Sequence, residues 1–545
     1  MVLLSVLFSI SSIQTKLGSY LTHKINKDTG IDLTVEKVDF SLLGTVRFRG
    51  VKIKDHHKDT LIFVDKLSTS ILNAKSILNN DFSLGPIYLE DAYYHMKTYK
   101  GELKDNMAVF IDAFSTNEYK DSSRVFKLSS KNVYVDNLDF KIINANVKDS
   151  VLYSVHKAGG NLQEMVIDGA NFSSKIRGLY FKDKFQLNVV NLTTDFSYSK
   201  INMTFLNTKL QTENSNLNAN IVFNYNIEDL SDFVNKVQIN ADFGKSNLAV
   251  SDLRLFYDEL YSNDKFSLKG NFRGKLNDFK LNNFKLSNTS TLFLDGDLIF
   301  KNAIKADDSF VFKGKLNQFS STYKELSALL PNLLGKTVPA NFLELGLFNT
   351  DGNLTITPKI IEAKLNMSSE IGDVKTDLNL TNYTNSALAT YNGVFELNKF
   401  NIGQFINDSL FGVVSLKTDI DGTGLTLINS TAQFIGDISE FEFKNYVYND
   451  IVTSGSYTNN RFDGTLSIDD KNFKMDFKGL ADLSKSINKF DFSSTISHLN
   501  LKETNLFIRD SISVLKGGIF IDMAGTTSDN IIGKANFSDV YYINE

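Results

Sequence analysis

The chain contains no cysteine and no tryptophan, and only 4 of its 545 residues are proline. Without thiols there are no disulfides, no thiolate zinc sites and no cysteine nucleophiles, and the redox compartment stays open. Scarce proline suits a chain of paired strands, because each proline removes a backbone donor from a hydrogen-bond ladder. A large excess of charge of one sign is missing as well. The formal net charge is −5 and no long basic run occurs, which excludes a phosphate-tracking surface, so no nucleic-acid partner is expected. Long apolar runs are missing too. Residues 2–13 are the most hydrophobic N-terminal stretch, yet as a helix they would reach only ~18 Å against a hydrocarbon core of roughly 30 Å.

Catalytic signatures are absent in the same way. Gly335-Lys336-Thr337 and Gly244-Lys245-Ser246 resemble the end of a phosphate loop, but the glycine required five residues earlier is replaced by Leu330 and Ile239. Gly422-Thr423-Gly424 lacks the third glycine of a dinucleotide fingerprint and reads as a turn. No Gly-x-Ser-x-Gly elbow and no His-Glu-x-x-His helix occurs. His56-His57 is the one histidine pair; on a strand its rings would point to opposite sides, and Lys58 would oppose a cation, so a solvated turn is expected there. Asn-x-Ser/Thr triplets at Asn191, Asn353, Asn366 and Asn382 fit chance in so Asn-rich a chain. The chain therefore reads as a non-enzyme, without catalytic residues, metal or cofactor.

What is present is period two. The chain has 44 Phe and 21 Tyr, both strand formers. In residues 461–479, Phe462, Leu466 and Ile468, then Phe473, Met475 and Phe477, alternate with Asp463, Thr465, Ser467, Lys474, Asp476 and Lys478 around the turn Asp469-Asp470-Lys471-Asn472. That pattern predicts a hairpin with one apolar face, and two strands need neighbours to be stable. Val414, Leu416 and Ile420, then Phe434, Phe441 and Phe443, repeat the pattern just before it. Earlier examples are Val46 and Phe48, followed by Val51 and Ile53 one residue out of phase, with Gly50 at the slip as a bulge or bend. Helical signals are brief: Thr322-x-x-Glu325 as a capping box, with Pro331 keeping the helix short, and turns near 401–406 and 501–508. Ile13, Leu17, Leu21 and Ile25 recur at i, i+4 with lysines between them, which predicts an amphipathic helix, either at a membrane exit or plugging the first end of the sheet. Residues 2–13 then read as a truncated anchor, in preference to a signal peptide or a frayed terminus.

The expected fold is mainly β: an elongated, repetitive, curved antiparallel sheet forming a hydrophobic groove, with few helices. Its expected parts are an N-terminal helix at 1–30, a first β segment at 31–317, a helical interruption at 318–339 and a second β segment at 340–545. Roughly 30 to 40 strands of ordinary length, stacked at ~4.8 Å each, would extend on the order of 150–190 Å. The apolar face must be covered, either by a second sheet or by a ligand. An acyl chain suits an open groove, since each buried methylene contributes about 0.8 kcal/mol without a fixed polar contact. The expected lining is Val414, Leu416, Ile420, Phe434, Phe441, Phe443, Phe462, Leu466, Ile468, Phe473, Met475 and Phe477.

The run Ser41-Leu-Leu-Gly-Thr-Val-Arg-Phe-Arg-Gly-Val-Lys-Ile-Lys-Asp55, with Asp59-Thr-Leu-Ile-Phe-Val-Asp-Lys-Leu67, resembles the opening of the AsmA-like family, notably its TamB-type members. Tyr446-Val-Tyr-Asn, Gly455-Ser-Tyr, Phe462-Asp-Gly-Thr-Leu-Ser-Ile-Asp-Asp470 and Leu515-Lys-Gly-Gly518 resemble central repeats of the same group. The resemblance implies a periplasmic protein anchored in the inner membrane of a Gram-negative envelope. Such a protein, similar to bridge-like lipid-transfer proteins, would move phospholipid toward the outer membrane or aid assembly of outer-membrane proteins with a barrel partner. Its acyl-chain cargo would lie in the groove. Two departures, the short anchor and the lack of a recognisable barrel-engaging module, lead to the expectation that the chain is the front part of a longer protein. The runner-up is a stalk or adhesin of stacked β-sandwiches without lipid. An outer-membrane barrel ranks third, because Val540-Tyr-Tyr-Ile-Asn-Glu545 lacks a terminal aromatic residue.

Overall fold

The computed structural model describes residues 19–20, 22–24, 26–27, 30–41, 45–72, 81–113, 126–257, 260–304, 308–331, 339–426, 429–526 and 529–544. Residues 2–13 and the helix positions Ile13, Leu17, Leu21 and Ile25 lie outside these residues, while 19–20, 22–24 and 26–27 are helical. The period-two segments form strands, 29 of them among the described residues, assigned to one unclosed sheet. They are fewer and longer than ordinary strand lengths suggest. Lys127–Asn144 and Val151–Asp168 have 18 residues each. Asn137, Lys157 and Glu164 adopt positive φ of 51–56° within them, close to register shifts, so a bulge bends each strand where a break would have ended it.

Among the described pairings all are antiparallel except two, which share one strand. Asp81–Leu84 and Ile87–Thr98 both run parallel to Lys127–Asn144, which requires a crossover connection. The helix Asn106–Ala113 lies in that crossover. Gly50 bears out its place at a phase slip. Its φ is 62°, and the partner of Thr45–Lys54 changes there from Lys37–Phe40 (Val38 opposite Phe48) to Asp32–Thr34 (Leu33 opposite Ile53). A Cβ at Gly50 would fall 2.4 Å from the Glu36 side chain.

The chain divides into two compact units, residues 1–282 and 283–545. The division falls inside the strand Phe279–Ser287, where Asn283 has φ 48°. The first unit has buried clusters around Ile87, Val133 and Met165 and around Tyr225, Val237, Ile239 and Ala241. The second has clusters around Leu345, Ile371, Leu397, Phe400 and Val414 and around Tyr448, Ile451 and Ile468.

In the second unit the connections at one end of the strands carry short helical pieces: Tyr323–Leu329, the 3-10 turn Ala340–Leu345 and Ile402–Ile406. Leu345, Ile402 and Phe405 pack onto the strand ends, so these pieces plug that end. The sequence signals for two of them hold: the Thr322 side chain accepts from Glu325 N at 3.1 Å, and that of Asn401 from Gln404 N at 2.9 Å. Residues 501–505, by contrast, form consecutive turns. The strand before Tyr323–Leu329, Val311–Thr322, pairs directly with the strand after it, Leu347–Ile356, so the ladder runs on past the helical segment.

Only half of the expected capping box forms, because the Glu325 side chain is directed away from the Thr322 backbone to other donors. The Glu325 carboxylate accepts from Asn288 Nδ2, Thr291 Oγ1 and, at 3.1 Å, Ser321 Oγ. Burial acts to raise its pKa, but these donors outweigh burial and hold it below the usual glutamate range. A carboxylate whose folded pKa is depressed contributes stability above its unfolded pKa and loses it as pH falls through the folded value. Glu325→Ala is therefore expected to cost about 1–3 kcal/mol at neutral pH, the range for losing hydrogen bonds to a charged group. Because the shift is downward, the difference from wild type should shrink as pH falls below about 4. Urea unfolding at pH 7 and pH 3 checks this; a pH-independent difference would mean that the carboxylate's charge is not involved.

Candidate functional site

Residues directly opposed across a ladder share a face of the sheet, so register alone traces rows across each unit. In the second unit one row runs Leu298, Gly314, Leu354, Ala363, Leu378, Gly393, Ile420, Phe434, Gly455, Gly464, Gly479, Phe492, Ile521, Ala535. The next row on that face passes through Leu365, Thr376, Phe395, Thr418, Gly436, Thr453, Leu466, Phe477, Ser494 and Ile519. A third passes through Met367, Val374, Leu397, Leu416, Ile438, Ile451, Ile468, Met475 and Ile496. No charged side chain occurs in these rows. The opposite face is ionic: Lys375, Glu396, Lys417 and Asp437 oppose one another in alternating sign, and Lys364 Nζ lies 2.7 Å from Asp377.

All twelve lining residues expected from sequence lie on the charge-free face. Val414 and Ile468 are buried, near the plugged strand ends, and the other ten are half-buried. A sheet packed over this face would dry such side chains; instead they keep part of their surface in solvent.

On the same face, Phe434, Phe462, Phe477 and Phe492 form a ladder with successive ring centroids 6.2, 6.3 and 5.1 Å apart. Glycines make room for it. Gly455 and Gly464 face each other, and a Cβ on either would come within 3.1 Å of the Phe462 ring. The ring covers the two bare glycines, and the result is a smooth, uncharged surface that offers dispersion contact along its length without a fixed polar partner.

The first unit holds an apolar cavity of about 780 Å³ that periodicity did not reveal. That volume falls within the roughly 300–1,000 Å³ of small-ligand sites. Its walls include Phe48, Ile53 and Ile62 near the first strands, Phe140, Phe172, Phe196 and Tyr198 farther along, and Met107, Phe110 and Ile111 from the helix Asn106–Ala113. One carboxylate, Asp105, reaches the described lining. Burial raises its pKa, and its Oδ1 accepts from Ala108 N at 2.7 Å, capping the helix. Burial likewise pushes up the Tyr94 hydroxyl in the same wall. The spacing of Met107, Phe110 and Ile111 after Asp105 is a local signal for the helix. Nothing local says that it faces Phe172 and Tyr198.

No protein-family model matches the chain, and no curated protein matches it in sequence.

Proposed function

We propose that the protein holds and conducts lipid acyl chains, along the charge-free face of the second unit and in the apolar cavity of the first. The observation that carries this reading is the run of uncharged rows in which Leu365, Leu378, Leu416, Phe434, Leu466 and Phe477, among others, stay half-exposed. Leaving a large apolar side chain fully wet forfeits roughly 1.5–3 kcal/mol, so a succession of partly wet ones calls for a ligand that covers a long strip. A hydrocarbon chain does this, and the absence of fixed polar partners allows it to slide. With the resemblance of residues 41–67 to AsmA-like openings, the cargo is phospholipid and the setting a Gram-negative periplasm. The chain, anchored at the inner membrane, serves delivery to the outer membrane or, with a barrel partner, protein assembly there. A stalk of stacked sandwiches has weaker support, since it would bury Phe462, Leu466 and Phe477 in dry cores.

The test is which face meets lipid. A photo-crosslinking residue at Leu466 or Phe477 is expected to capture phospholipid, whereas the same residue at the exposed Lys474 or Lys478 captures none. Mass spectrometry of the irradiated protein reads the adduct. Equal labelling of both faces, or none at either, would remove the acyl-chain reading.

A further inference from the structure

We propose that His56, His57 and Glu102, in the first unit, form a binding site for a divalent transition-metal ion of the zinc class. His56 Nε2 lies 3.0 Å from Glu102 Oε2 and His57 Nε2 lies 2.5 Å from Glu102 Oε1. The ligand atoms of all three fall within 4.8 Å of one another. A tetrahedral ion with bonds of about 2.0–2.2 Å holds its ligand atoms about 3.3–3.6 Å apart, so small side-chain rotations would seat it. Imidazole and carboxylate are donors that suit zinc, and three protein ligands leave a position for water or an exchangeable group.

The two obstacles raised by the sequence do not arise. His56 and His57 occupy the turn between Thr45–Lys54 and Thr60–Ser70, where strand alternation does not apply, and both rings reach one carboxylate. The Lys58 ammonium is drawn to Asp32 Oδ2 at 3.3 Å.

The donors are held in place beforehand. Buried Asp55 builds the turn: its Oδ1 accepts from His57 N at 2.9 Å and Asp59 N at 3.0 Å, and its Oδ2 from Asn106 Nδ2 at 2.8 Å and the Tyr99 hydroxyl at 2.7 Å. The Tyr99 ring stacks on His57 at 3.9 Å. Asn146 fixes the loop of Glu102, donating to Glu102 O at 2.9 Å and accepting from Gly101 N at 2.7 Å. A turn between two strands and a loop between a strand and a helix are thus built to present three donors to one point, and such outer support is what tunes a metal site. A bound ion would tie the 55–59 turn to the loop that leads directly into the helix Asn106–Ala113, and so steady the part of the cavity wall made by Met107 and Phe110.

Tag-free protein stripped with chelator is titrated with Zn²⁺ by calorimetry, and with Co²⁺ for the visible band of a tetrahedral site. One ion per chain is expected. His56→Ala, His57→Ala and Glu102→Gln should each weaken Zn²⁺ binding at least about ten-fold and abolish the cobalt band. His498→Ala, which removes an imidazole of the second unit, should leave both unchanged. Glu102→Gln keeps the shape of the side chain and decides the matter where an alanine variant fails to fold. No saturable binding, or equal affinity in Glu102→Gln and wild type, would reduce the cluster to histidines hydrogen-bonded to a carboxylate and overturn the proposal.

Discussion

Phe477→Asp is expected to leave the protein folded while lowering the phospholipid it carries or transfers about 100-fold. Phe477 is half-buried, opposes Leu466 and Ser494, and sits in the aromatic ladder between Phe462 and Phe492. On an open face the new carboxylate stays hydrated, so it needs neither a partner nor protonation. The cost to folding is then the lost ring contacts, about 1–3 kcal/mol out of the 5–15 kcal/mol that typically holds a domain together. The cost to lipid is larger relative to what binds it. A hydrated carboxylate keeps about three or four methylenes off the surface, at about 0.8 kcal/mol each, or about 3 kcal/mol, which is about 100-fold in affinity. A chain that slides must pass every row, so one charge is enough. Thermal unfolding beside a vesicle-to-vesicle transfer assay measures both, with Lys478→Asp on the opposite face as control. A folded variant with undiminished transfer would sink the conduit, and a variant that cannot fold would show that the face is dry.

Val133→Asp is expected to do the reverse and unfold the first unit. Val133 is 2% exposed, between Ile87 on its parallel neighbour and Leu162 on the other side. No water reaches a carboxylate there, so it must be neutralised to be buried. From an ordinary aspartate pKa near 4, that costs about 4 kcal/mol at pH 7, before the unsatisfied hydroxyl and the lost methyl contacts are added. The sum is comparable to the 5–15 kcal/mol that typically holds a domain together. Tyr134→Asp, one residue along and on the opposite, exposed face, should fold as the wild type does. Circular dichroism and limited proteolysis of the two variants give the comparison; a Val133→Asp protein with an unchanged melting temperature would mean that this cluster is not a closed core. The contrast between Val133 and Phe477 separates dry positions from open ones in strands with the same alternating pattern.

That pattern was legible because alternation is local. The hairpin at residues 461–479 follows from the side-chain period alone, and its register, Leu466 opposite Phe477 and Ile468 opposite Met475, follows from the position of the turn. The side of the sheet taken by each of the twelve lining residues is a matter of odd and even positions. The cap at Thr322 and the helical turn at 401–406 were equally readable, since a cap or a turn is made within a few residues.

Strand length was misjudged, because a bulge at Lys157 or Glu164 looks like the end of a pattern when it is only a bend in a strand that continues. The parallel joint made by Lys127–Asn144 depends on where a chain lands after a crossover, which no local pattern states.

By itself, then, the sequence determined an apolar face and an ionic face on strand after strand, the hairpin turns between them and the short capped helices, all of which rest on interactions within a few residues. Only the tertiary structure decided which strands are neighbours, that the charge-free face stays half-exposed, that helix Asn106–Ala113 closes on Phe172 and Tyr198 around a cavity, and that His56 and His57 meet Glu102. The physical reason is separation along the chain. His57 and Glu102 are 45 residues apart, and what brings them together is the summed pairing of the strands between them, a cooperative outcome with no counterpart in any short stretch of sequence.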